Sequence, residues 1–149
     1  HSCSRRQRQM CIRDRIYKDH PLVTKVRLLY QSYKTADVDE IKSHYTENTR
    51  FYNVMNSGID EFKTLEEEFA QFDQYMETFE IMNIRESGFP DVLDYEGDGA
   101  VVISWVEMTF KNKKSGNIGT ILQHIQHSFN EECEIVREDY YFNPAQLPQ

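Results

Sequence analysis

The stretch GTILQHIQHSFNEECEIVREDYYF, residues 119–142, decides the fold. Apolar and polar residues alternate with a period of two on either side of Asn130-Glu131-Glu132-Cys133, the pattern of a β-hairpin with one buried face. The pleat sorts the side chains. One face carries Ile121, Gln123, Ile125, His127 and Phe129 with Val136, Glu138, Tyr140 and Phe142, and the other carries Leu122, His124, Gln126 and Ser128 with Ile135, Arg137, Asp139 and Tyr141. If Asn130 pairs with Cys133, His127 lies diagonal to Glu138 and His124 lies directly opposite Asp139. Cross-strand neighbours at those separations interact. Glu-Glu is not a favoured two-residue turn, however, and a loop one residue longer would scramble these pairs.

Upstream of the hairpin, the same period marks strands at residues 79–86, 91–96 and 100–111, separated by Ser87-Gly88, by Glu96-Gly97-Asp98-Gly99 and by a loop containing Gly116. Short connections imply an antiparallel meander. Earlier still, the period is helical. Val23, Val26, Leu29, Tyr30 and Tyr33 form one stripe after Pro21, and Val38, Ile41 and Tyr45 form a second after an Asp37 N-cap. Phe62, Leu65, Phe69, Phe72, Met76 and Phe79 form a third within an acidic run, and TRFYNVM (residues 49–55) reads as a strand closed by Asn56-Ser57-Gly58. Helices first and a meander afterwards is an α+β plan, with helices packed on one face of a sheet.

The chain has 149 residues, of which 39% are hydrophobic and 13% aromatic, enough for one packed domain and against disorder. Residues 1–15 stand apart. They hold five arginines and two of the three cysteines, and SCSRRQRQMCIRDR resembles a translated sequencing-adaptor scar, expected to be disordered and excluded from the single domain at 16–149. A basic nucleic-acid or targeting arm is the rival reading. Without that segment Lys+Arg falls from 17 to 12 and Asp+Glu from 25 to 24, so the net charge moves from -8 to -12. Such a charge repels phosphate backbones, so no nucleic-acid partner is expected. Cys133 would be the one remaining cysteine, leaving no intradomain disulfide and no thiolate metal site. The longest apolar run, Ala100 to Ile103, is far short of a membrane span, and a soluble, cytoplasmic protein is expected.

The chemistry-bearing residues are sparse. His124 and His127 point to opposite faces and cannot share a metal, and no other metal or cofactor motif appears. Ser104, Ser128 and Cys133 lack a nucleophile motif. What remains is a His beside an acid on each face. Such a pair is either a structural ion pair or an oriented acid-base couple.

The order of elements, together with YQSYKTADVDEI (residues 30–41), NTRFYN (48–53) and HSFNEECEIVREDYYF (127–142), resembles the nuclear transport factor 2-like (NTF2-like) superfamily in its SnoaL-like branch. The resemblance covers residues 21–142. It implies a cone in which three N-terminal helices wrap a strongly curved antiparallel sheet, with a pocket on the concave side and a homodimer through the convex side. Steroid isomerases, polyketide cyclases, dehydratases, epoxide hydrolases and pure binding proteins share that fold. Aligned on this chain, the isomerase's helix-one tyrosine falls at Leu29, its general-base aspartate at Asn53 and its second acid near Ile125, none of which can do that work. The same alignment turns His127, Glu138 and Phe142 toward the pocket.

The expected function is therefore binding of a small, partly apolar molecule, without a cofactor. His127 is the candidate base or acid and Glu138 its orienting partner. Tyr52, Asn53, Gln123 and Tyr140 would supply hydrogen bonds, and Phe69, Phe72, Trp105, Ile125 and Phe142 the apolar walls. Trp105 also suits a sheet-packing or dimer contact. The alternatives are a cofactor-free isomerase, dehydratase or hydrolase using His127 and Glu138, or a non-catalytic dimeric interaction module in which the two only satisfy each other. The opposite-face pair His124 and Asp139 is the second candidate site. Leu122, Ile135 and Tyr141 would form the apolar part of the dimer face.

Overall fold

The computed structural model describes residues 19–95 and 97–149 and the backbone of 15–17. In chain order it contains β1 (Arg15–Tyr17), α1 (Pro21–Thr35), α2 (Val38–Lys42), β2 (Arg50–Asn53), α3 (Val54–Ser57) and α4 (Leu65–Thr78). There follow β3 (Phe79–Glu86), β4 (Asp91–Tyr95), β5 (Gly99–Asn112), β6 (Ile118–Phe129), β7 (Ile135–Tyr141) and a 3-10 turn at Pro144–Gln146. The architecture is mixed α+β, as expected. Residues 1–14 of the expected scar lie outside the described residues, and Arg15 is the first residue of β1, which pairs with β4.

Local chemistry explains where the helices begin. The His20 imidazole accepts from Leu22 N at 3.1 Å and Pro21 occupies the first turn of α1. Asp37 accepts from the Asp39 and Glu40 amides at the start of α2. Thr64 and Glu67 cap α4 reciprocally, and three glutamates fill its first turn, where the helix dipole favours negative charge. That box places Phe62 outside the helix. The strand expected at 49–55 stops at Asn53, and the next four residues form α3, so the described residues hold four α-helices where three were expected.

Among the described residues the sheet has seven strands, six in the order β1-β4-β5-β6-β7-β2 and β3 off that path, so that the long β5 pairs with β4 along its first half and with β3 along its second. All these pairings are antiparallel except one. β2 runs parallel to β7, with Phe51 beside Glu138, which corrects the expectation of a wholly antiparallel sheet. Most of the chain separates these two strands, so no short hairpin dictates their direction. α1 lays Val23, Val26 and Leu29 against Val92, Val102 and Val106 of the sheet, all of them essentially inaccessible. Complete burial of each such side chain contributes roughly 1.5 to 3 kcal/mol.

Register in the β6–β7 hairpin differs from the two-residue turn in two ways that cancel. The loop is one residue longer: Asn130 N donates to Glu134 O, and Cys133 takes a left-handed conformation at φ 60°. A bulge between Ser128 and Phe129 then adds a second residue to β7. The total slip is two residues, which preserves the face of everything from Arg137 onward. His127 consequently lies directly opposite Glu138 instead of diagonal to it. Ile135 and Val136 are exchanged, with Ile135 buried in the core and Val136 exposed. His124 faces Tyr141 and not Asp139.

Gly99, at φ +81°, opens β5 where a Cβ would sit 2.1 Å from the Phe129 carbonyl oxygen. Gly99→Ala should cost about 2 kcal/mol or more of unfolding free energy by urea titration, and Gly97→Ala, with open space around it, should cost less.

Candidate functional site: a phenol-lined cavity on the inner face

Helix α4 carries an apolar stripe of which only Phe69 is fully buried, while Leu65, Phe72, Tyr75 and Met76 stay partly open. Phe72, Tyr75 and Met76 face a cavity of about 120 Å³ between this helix, α1 and the inner face of the sheet. A water needs roughly 10 to 15 Å³ measured in that way, so the space suits a small organic molecule. Its apolar walls are Phe72, Ile84, Val106, Phe110, Ile125 and Phe142, among others.

At the centre stands His127, completely buried, with Nε2 2.9 Å from Glu138 Oε2. The contact has ion-pair distance without hydrogen-bond alignment, so neither ring nitrogen of His127 has a hydrogen bond. Glu138 is held from another side, because Tyr45 OH donates to the same Oε2 at 2.6 Å and lies 3.4 Å from Tyr33 OH. Tyr30 OH is 2.5 Å from Ser104 Oγ, and its ring meets His127 edge-on at 5.9 Å. Across the cavity, Tyr140 OH donates to Glu68 Oε2 at 3.0 Å and Lys63 Nζ approaches the same oxygen at 3.3 Å. Gln123 Nε2 reaches Met108 Sδ at 2.8 Å.

Burial, and after it the charge of Glu138, pushes the Tyr33 and Tyr45 phenols far above their ordinary range. Burial likewise raises Tyr30, and burial with Glu68 raises Tyr140. All four remain protonated donors. Glu68 itself is raised, because burial outweighs the opposing help of Lys63 and Tyr140.

Of the residues singled out from sequence, His127, Glu138, Asn53, Phe72, Gln123, Ile125, Tyr140 and Phe142 line the cavity together. Three do not. Phe69 sits in the core with Tyr45 and Phe51. The Tyr52 ring is covered by the Arg137 guanidinium at 3.8 Å, and Trp105 is half exposed on the outer face, stacked on His124 at 4.4 Å. The second candidate pair is not a pair: Asp139 is held bidentately by Arg137 at 2.7 and 2.6 Å, and His124 contacts Gln126. Among the described residues no group of His, Cys, Asp and Glu could hold a metal ion, and no helix is long and apolar enough to cross a membrane.

Sequence reasoning missed Tyr30, Tyr33, Tyr45, Glu68 and Gln71 as cavity residues. The signal was Tyr30 and Tyr33 on one helical stripe and Tyr45 just after the next helix, where leucines would have served packing equally well. Leu29, the position where resemblance put the isomerase tyrosine, is in the core, and its neighbour Tyr30 lines the cavity instead. Leu147 closes the cavity at one end, on a C-terminal segment tied down by Asn112 Nδ2 to Pro148 O and by Ser115 and Asn117 to Gln149 O.

No family profile matches the chain, and no curated protein matches it. Solved structures do. A ketosteroid isomerase-like protein from Erwinia carotovora atroseptica is 15% identical over 81% of this chain and 92% of its own, with a TM-score of 0.63. A SnoaL-like protein from Mesorhizobium loti is 15% identical over 82% and 99%, with a TM-score of 0.55. TerC, co-crystallised with polyporic acid, is 14% identical over 85% and 94%, with a TM-score of 0.56. The fold is that of the NTF2-like proteins, with an α+β layer arrangement on a curved sheet.

A carboxyl whose folded-state pKa is raised gives its full stability below the ordinary value and loses it as pH rises through the folded value. Glu68→Gln should therefore raise the melting temperature at pH 7, and the gain should shrink on acidification and vanish below about 4.5, the ordinary value.

Proposed function

We propose that this chain binds a small, partly apolar molecule in the inner cavity, as a SnoaL-like protein in which the helices and the curved sheet form a cone. One observation carries the reading: His127 is wholly buried, lines the cavity and has no hydrogen bond at either ring nitrogen, and Asn53 Oδ1 beside the same space is equally unpartnered. Buried polar groups left open cost about 1 to 3 kcal/mol each, and a ligand with matching groups removes that cost. TerC's co-crystallisation with the small molecule polyporic acid supports the reading.

The geometry also favours a second reading, cofactor-free acid-base chemistry of an isomerase, dehydratase or hydrolase. Glu138, fixed by Tyr45, faces Nε2 and would stabilise the imidazolium that forms when Nδ1 accepts a proton from the ligand. Loss of His127 should then cost about a hundredfold in rate.

The test of binding is a screen of small neutral aromatic and alicyclic ketones and alcohols by thermal shift and calorimetry. At least one should bind, and a ligand at a hundred times its Kd should stabilise by about 2.7 kcal/mol. His127→Ala and His127→Gln, checked for folding by circular dichroism, should weaken that binding tenfold or more, whereas Trp105→Ala should not. A folded His127 variant that binds as well as the parent would remove His127 from the site.

The outer face is proposed as a homodimer surface of a cytoplasmic protein. The apolar share differs from that expected, since Ile135 is in the core, and consists of Trp105 and Leu122, each about half exposed, beside Tyr141 and His124. Light scattering at micromolar concentration should give about twice the 17.8 kDa of one chain, and Leu122→Glu should halve it. A monomer at that concentration would remove this part of the proposal.

A further inference from the structure

The charge of the cavity, not only its shape, discriminates among ligands. Resting on the binding reading above, we propose that the cavity selects a protonated amine carried on an aromatic or alicyclic body, and rejects carboxylates of the same size. Two glutamates line the space and, among the described residues, no Lys or Arg does. Lys63 touches Glu68 but is not a lining residue, and it is shared with the Gln71 side-chain oxygen. Each glutamate uses one oxygen. Oε2 of Glu138 takes Tyr45 and faces His127, and Oε2 of Glu68 takes Tyr140 and Lys63, which leaves both Oε1 atoms without a hydrogen bond among the described residues.

Two further buried groups point the same way. Asn53, more than nine-tenths buried, presents an unpartnered Oδ1, which is an acceptor only, and the ring nitrogens of wholly buried His127 have no hydrogen bond. An ammonium offers three donors and no acceptor, which matches acceptors such as the glutamate and Asn53 oxygens, whereas a carboxylate offers no donor at all. The phenols cannot reverse the balance, because Tyr45 and Tyr140 already donate to the glutamates and all remain un-ionised. The rest of the lining includes the aromatic residues Tyr30, Tyr33, Phe72 and Tyr75, a residue type whose rings attract a desolvated cation within about 6 Å.

The experiment compares 2-phenylethylamine, 2-phenylethanol and phenylacetate by calorimetry at pH 7.4, where the amine is protonated and the acid ionised. The amine should bind at least tenfold tighter than the alcohol, and phenylacetate at least tenfold weaker. Glu138→Gln should bring the amine to within threefold of the alcohol, both measured on the same variant. Glu68→Gln, which keeps a hydrogen-bonding side chain for Tyr140, should reduce the preference as well and reports on charge if the first variant fails to fold. Equal binding of amine and phenylacetate, or a preference untouched in a folded Glu138→Gln protein, overturns the amine selectivity. If the alcohol still binds and depends on His127, only this inference falls. If none of the three binds and the neutral screen is also empty, the reading of the cavity as a ligand site falls with it.

Discussion

The position of β7 against β6 and β2 governs what faces the cavity. Glu138 reaches His127 because a longer loop and a bulge together displace β7 by two residues, and a displacement of one would have turned the carboxylate to the outer face and put Arg137 or Asp139 in its place. β2 adds the second constraint. By lying parallel to β7, with Phe51 beside Glu138, it brings Asn53 alongside Tyr140 at the rim of the same space. Asn53, Glu138 and Tyr140 therefore come together through backbone ladders, which are far less adjustable than side-chain contacts.

A buried carboxylate beside a buried imidazole is an expensive arrangement without donors to hold it. The phenols provide them. Tyr45 from the segment after α2 and Tyr140 from β7 each give a proton-bearing oxygen to a glutamate, and burial keeps those protons in place. A tyrosine brings this donor on a large apolar ring, so the same residue that satisfies the charge also fills the wall. The cavity is thus apolar at its sides and polar at a few fixed points, the combination through which a pocket recognises a small molecule by orientation as well as by size.

Much of this was legible in the alternation of residues 119–142. Period two placed His127, Gln123, Ile125, Tyr140 and Phe142 on one face, and the even slip in register left that assignment standing while it exchanged Ile135 with Val136 and dissolved the His124–Asp139 pair. Turn length was the unreadable quantity, since Asn130 closes its loop through both a backbone and a side-chain bond to Glu134, which no period reveals. Helical stripes misled in a different manner. Tyr30, Tyr33 and Phe72 look like core in a periodicity, because a stripe reports which way a side chain points and not whether anything fills the space in front of it. Trp105 shows the converse: it alternates correctly with its strand, and its side of the sheet is the outer one.

The parallel ladder between β2 and β7 also sets when the cavity comes into being. It joins Phe51 to Glu138 across most of the chain, and closing a loop of that length costs about 4 kcal/mol of chain entropy, which must be met before the ladder gives anything back. The antiparallel hairpins β5–β6 and β6–β7 close far shorter loops and can form without it. The inner cavity is complete only once β2 has joined β7 at the edge of the sheet. A molecule bridging Asn53 on β2 and Glu138 on β7 would reinforce that long-range ladder, and if the ladder forms after the folding barrier it would slow unfolding more than it sped folding.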